Sequence, residues 1–167
     1  VYEHARNNPD LDIHAYDVAE YILRVYQPMD AMKLQKLCYY TQAWSLAWGR
    51  GPMFSDDIEA WENGPVVRSL FSRHRGKFTV ETVGGNIAEL TTDRARIATI
   101  TDVMNFYGGR TGQDLSELAH MEAPWKVTRD SAGVCDGEAC DEVINPDLMQ
   151  AYYASLIAED TRVAEPA

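Results

Sequence analysis

Met32-Lys33-Leu34-Gln35-Lys36-Leu37-Cys38-Tyr39-Tyr40-Thr41-Gln42-Ala43-Trp44-Ser45-Leu46-Ala47-Trp48 is the stretch that decides the fold. Its spacing puts Leu34, Leu37, Cys38, Thr41, Trp44 and Trp48 on one helical stripe and Tyr39, Ala43 and Leu46 on another. A helix apolar over most of its circumference is buried centrally or shared between a core and a partner, and the sequence leaves both open. Asp30 is the expected N-cap and Gly49 the expected stop, bounding the helix at Ala31 and Trp48. Tyr39 and Tyr40 are adjacent, hence about 100° apart around the axis, and one of the pair is expected to face outward.

Working outward, Val18, Ile22 and Val25 fall at i, i+4 and i+7 and predict an amphipathic helix from Ala15 to Tyr26, which Pro28 stops. After the central helix, Gly51 to Val66 reads as short extended pieces and a small hairpin turning at Asn63-Gly64-Pro65. Pro65 suits the first position of a third helix, Val66 to about His74. Lys77 to Leu90 carries weak hairpin chemistry around Gly84-Gly85-Asn86. Thr92 is the expected cap of a helix from Asp93 to Tyr107, and Thr111 to Asp114 forms a capping box that opens another, to about Glu122. Ser131 to Glu142 is a Gly-rich acidic loop, and Asn145-Pro146-Asp147 opens a last helix bearing Leu148, Tyr152 and Leu156. The expected fold is mainly α: a single compact helical domain, residues 14–158, around a central hydrophobic helix, with a small β-hairpin element. Residues 1–13 are expected to form a flexible N-terminal arm and residues 159–167 a C-terminal tail.

The 167 residues suit one domain, and 46% hydrophobic against 25% charged is globular composition. Acidic residues number 26 against 15 basic ones, a formal charge of −11, which disfavours nucleic-acid phosphate and eases the approach of a basic partner. The longest uncharged stretch, Leu37 to Gly49, falls short of the roughly 20 apolar residues of a membrane span, so no membrane partner is expected. No signal peptide is legible in the polar opening residues, and three cysteines make no disulfide framework, so a cytoplasmic location is expected.

Chemical motifs are sparse. Gly49-Arg50-Gly51-Pro52 is a helix end and turn rather than a phosphate cradle. Cys135 and Cys140 offer one pair where a structural zinc site commonly uses four ligands. Asp56, Asp57 and Glu59 lack calcium-loop spacing and read as a solvated turn. Lys33 and Lys36 read as snorkelling side chains at a core margin, and His120 as a helix-terminal histidine bonded to nearby backbone. No catalytic residue, cofactor or metal is therefore expected.

The run Lys33-Leu34-Gln35-Lys36-Leu37-Cys38-Tyr39-Tyr40, followed by Ala60-Trp61-Glu62-Asn63-Gly64-Pro65-Val66, resembles the Panacea domain of SocA-like bacterial and phage antitoxins. Asp17-Val18-Ala19 upstream, and Leu115-Ser116-Glu117-Leu118-Ala119-His120 with Pro124-Trp125 downstream, extend the similarity over about Tyr16 to Leu156. The resemblance implies a cytoplasmic antitoxin, not an enzyme, that neutralises a cognate toxin by direct binding, in a family whose one domain type is paired with many unrelated toxins. The toxin is expected to present a basic surface to this acidic chain. Tyr39, Tyr40, Asn63, Gly64 and Pro65 are the expected partner-binding residues. A homo-oligomer and a heteromeric complex with the toxin both stay open. The alternatives are a DNA-binding autoregulator or an adaptor delivering a partner to a protease and, less favoured, an uncharacterised enzyme.

Overall fold

Asp30 Oδ2 accepts from the Lys33 amide at 2.9 Å and starts the central helix α2, Ala31–Ala47, where the sequence places it. The computed structural model describes residues 11–164. Around α2 run α1 (Ala15–Val25), α3 (Arg68–His74), α4 (Ala88–Thr91), α5 (Arg94–Tyr107), α6 (Gly112–His120), α7 (Ala123–Ser131) and α8 (Pro146–Ala164). Two antiparallel pairs complete the fold: β1 (Met29–Asp30) with β4 (Thr79–Val80), and the hairpin of β2 (Glu59–Trp61) and β3 (Gly64–Val66). The protein is mainly α with small hairpin elements. The helix α2 is enclosed by α5, α6 and α8 and by α1, α3 and the hairpin, and every residue from Leu34 to Ala43 is buried.

Of the expected N-terminal arm, residues 1–10 lie outside the described residues, and Ile13 is buried. Of the expected tail, the backbone through Ala164 continues α8, and residues 165–167 lie outside the described residues.

Three local expectations are corrected. Pro65 does not start a helix: it pairs with Ala60 inside the hairpin, and α3 begins only at Arg68. The segment after Lys77 is not a hairpin on itself. Its strand β4 crosses to β1, with Met29 opposite Val80, and two carboxylates of α1 fasten the following loop. Glu20 accepts from Thr82 Oγ1 and from the Val83 and Gly84 amides, and Asp17 accepts from the Asn86 amide. Burial opposes the charged form of Glu20, yet the bonds from Thr82, Val83 and Arg24 hold its carboxyl below the ordinary value. Gly85 serves close approach rather than a turn, since a Cβ there would lie 2.2 Å from the Tyr16 carbonyl oxygen. The helix expected from Asp93 is capped by Asp93 itself, not Thr92, and α7 is an element the sequence reading did not contain.

The acidic turn is also not free in solvent. Asp56 accepts from the Ala15 amide at 2.6 Å and from Ser69 Oγ at 2.7 Å, and Glu59 is held by both Arg68 and Trp61 Nε1. The Cys135–Cys140 loop is drawn in by Arg129, which is 2% exposed. Its guanidinium donates to the carbonyls of Ala60, Cys135 and Glu138, so one buried cation ties loop to hairpin through three carbonyl dipoles.

Gly64, at φ +117°, lies over the Lys36 side chain, and a Cβ there would stand 2.6 Å from Lys36 Cε. Both the backbone and the buried amine demand glycine. Gly64→Ala is expected to destabilise the fold by about 1–3 kcal/mol, measured by urea denaturation; unchanged stability would show that the hairpin and Lys36 move apart freely.

Candidate functional site

The motif residues of α2 point inward, where each is matched by a distant group. Lys36 Nζ donates to the Pro65 carbonyl at 3.0 Å, and burial pushes its pKa down to about 8. It is a core residue rather than the snorkelling one expected. Lys33 is half-buried and donates to the Gly108 carbonyl at 2.6 Å. Gln35 Oε1 accepts from the Val67 amide at 2.9 Å, while its Nε2 donates to the Val67 carbonyl and lies 3.0 Å from His74 Nε2.

The expectation that Tyr39 or Tyr40 faces outward is overturned, because both are buried and neither offers surface to a partner. The reason is a polar knot around Glu122. Tyr40 OH donates to Glu122 Oε1 at 2.6 Å, and Tyr153 OH donates to the same oxygen at 3.0 Å. Since the Tyr153 hydrogen is thus committed, Tyr39 OH is the donor in its 3.0 Å bond to Tyr153 OH. The Tyr40 ring stacks on Tyr107 at 4.1 Å, and Trp44 Nε1 donates to Tyr107 OH at 2.8 Å. Burial raises the Glu122 carboxyl above its ordinary value against the opposing pull of Tyr40, Tyr153 and Arg110.

The hairpin turn fares differently. Gly64 and Pro65 are buried, whereas Asn63 is exposed at the turn. Ser116 Oγ donates to the Asn63 carbonyl at 2.6 Å and His120 Nε2 lies 3.1 Å from the Glu62 carbonyl oxygen, so α6 latches the turn. His120 is the backbone-bonded helix-end residue expected. Of the five expected partner-binding residues, Asn63 is therefore the one exposed at the surface.

Tyr39 and Tyr40 instead help to build the support of a groove that the sequence reading did not locate. A cavity of about 580 Å³ opens between the end of α2, α5, α6 and α8. Trp44, Trp48, Phe106 and Tyr107 wall one part of it and Leu156 and Ile157 another; Glu122 also lines it. Asp102, Glu159 and Arg110 supply its remaining charges. Phe106 is 65% exposed and Trp48 36%, so the aromatic wall is open to a visitor. The pocket stayed hidden in sequence because Glu122 and Phe106 lie far from α2 along the chain. A second, smaller cleft of about 430 Å³ lies between Trp61, Arg68 and Cys140 at the hairpin. Among the described residues, no group of three or more His, Cys, Asp or Glu side chains is arranged to hold a metal ion.

The family model of the SocA-like antitoxin Panacea domain matches residues 34–126. The chain belongs to the SocA-like Panacea-domain family. No curated protein and no solved structure matches the chain. The matched span of the Panacea domain runs from Leu34 in α2 to Lys126 in α7 and contains Lys36, the tyrosine pair, the hairpin and Glu122. The resemblance over Tyr16 to Leu156 reaches beyond it into α1 and α8.

Glu122 allows a sign-specific test of the knot. A carboxyl whose folded pKa is raised costs stability when ionised, and that cost is released as pH falls through the folded value toward the ordinary 4.5. Glu122→Gln keeps an acceptor for both tyrosines. The variant is expected to melt at or above the wild-type temperature at pH 7, with its advantage fading by about pH 4. A variant much less stable at pH 7, with the deficit shrinking in acid, would show that the ionised carboxylate stabilises the fold.

Proposed function

We propose that this Panacea domain acts in the cytoplasm as an antitoxin that neutralises a cognate protein toxin by direct binding, without chemistry of its own. The observation that carries the reading is the open aromatic groove with carboxylates at its base and rim, on a chain of charge −11, in a family of antitoxins. The few residues that dominate binding energy at protein interfaces are enriched in Trp, Tyr and Arg, and an acidic field speeds the approach of a basic partner. No described helix is long and apolar enough to cross a membrane.

The test is co-expression with the reading frame adjacent to the gene. Growth arrest by that frame alone and recovery with this chain, accompanied by a co-purifying complex, is the expected result. Absence of rescue, or rescue without a complex, would overturn neutralisation by binding. Association is also expected to slow several-fold between about 50 and 500 mM salt, as followed by stopped-flow fluorescence; a salt-independent rate would remove electrostatic steering from the account.

A further inference from the structure

The groove has more specific chemistry than an apolar patch. Its Glu122 is 6% exposed, and both tyrosine hydroxyls bond to the same oxygen, Oε1, so neither occupies Oε2. Among the described residues, the remaining charged groups around the groove are Asp102, Glu159 and Arg110, with Arg50 at the edge, 3.8 Å from Asp102. Carboxylates therefore outnumber cations where the aromatic wall opens. The protein's own guanidinium groups already rest on this wall: Arg50 lies 4.9 Å from the Trp48 ring centre and Arg110 lies 5.4 Å from that of Phe106.

Taking the neutralisation reading as its basis, we infer that the groove receives an arginine side chain from a basic segment of the partner polypeptide, stacked on Trp48 and Phe106 with its guanidinium directed to Glu122. A planar guanidinium satisfies both surfaces at once, since its face lies on an aromatic ring while its edge donates to a carboxylate. A lysine ammonium offers no face to stack, and an apolar side chain would bring Glu122 no cation beyond Arg110, whose charge already acts on it. The cavity exceeds one side chain in volume, leaving room for flanking residues of the segment. The raised carboxyl of Glu122 is consistent with a group awaiting a cation, whose arrival favours the ionised form.

The folded full chain is titrated with acetyl-Gly-Arg-Gly-amide and with its neutral citrulline counterpart, followed by NMR on the indole resonances of Trp44 and Trp48. Saturable shifts with a Kd of about 1–10 mM are expected for the arginine peptide, with binding at least about fivefold weaker for citrulline and in Glu122→Gln. Equal response to citrulline, no shift up to about 50 mM, or undiminished binding by a folded Glu122→Gln would overturn the inference. Rescue by co-expression separates it from the broader reading. If Trp48→Ala and Phe106→Ala melt like wild type and neutralise undiminished, the groove is not the recognition site while neutralisation stands. If the wild-type chain fails to rescue, neutralisation falls and the peptide titration still judges the cation pocket.

Discussion

A helix buried on all sides must find partners for every polar group it carries, and α2 carries many. Gln35, Lys36, Tyr39, Tyr40, Thr41, Gln42 and Ser45 are all buried. An unpaired buried donor or acceptor costs about 1–3 kcal/mol, so leaving even a few of these unmet would consume the stability of an ordinary domain. The fold resolves this by laying backbone over the helix. Gln35 holds Val67, Lys36 holds the Pro65 carbonyl, Gln42 accepts from Met53 and Phe54, and Ser45 donates to the Gly51 carbonyl. The path of the chain from Gly51 to Val67 is thus cast against the polar side chains of α2. The hairpin follows from that path, and Gly64 is glycine because Lys36 lies beneath it.

The same constraint explains what the sequence made legible. The absence of a polar face on α2, its Asp30 cap, the Thr111 box and the Asn145-Pro146 opening are local signals, and the helices formed there. Local spacing does not show that both Tyr39 and Tyr40 are interior, because their hydroxyl partners, Glu122 and Tyr153, come from α7's N-terminal flank and from α8, remote in sequence from both tyrosines. An adjacent pair on a helix points in two directions, and here both directions are interior. Pro65 obeyed pairing with Ala60 over its local suitability for a helix start. The Gly84-Gly85 signal was genuine, but it marked contact with α1 rather than a reversal. Arg129 gave no local signal at all, since three carbonyls from two separate segments define its role.

Scaffold and open rim consequently separate along the chain. The residues that carry the family resemblance, Lys36, the tyrosine pair and Gly64-Pro65, are consumed in supporting the interior. What they leave outside is a rim that is open to solvent, notably at Trp48 and Phe106. A rim of this kind can change without disturbing the polar matches of α2. That division offers a physical route by which the outer surface of the domain can vary while its polar interior is kept.

The groove straddles that boundary. Trp44, Trp48, Phe106, Tyr107 and Glu122 fall within the span matched by the family model, whereas Leu156, Ile157 and Glu159 belong to α8, beyond it. Yet α8 is tied to the groove floor through Tyr153, which shares Glu122 Oε1 with Tyr40, and to the central helix through Gln150, which donates to the Leu46 carbonyl. The inward side of α8 is therefore constrained by the polar core, while its outward side is free to set the size and charge of the opening. A cation reaching Glu122 would act on the carboxylate whose Oε1 joins α2 to α8, so occupation of the groove and the packing of its last wall are energetically linked through a single carboxylate.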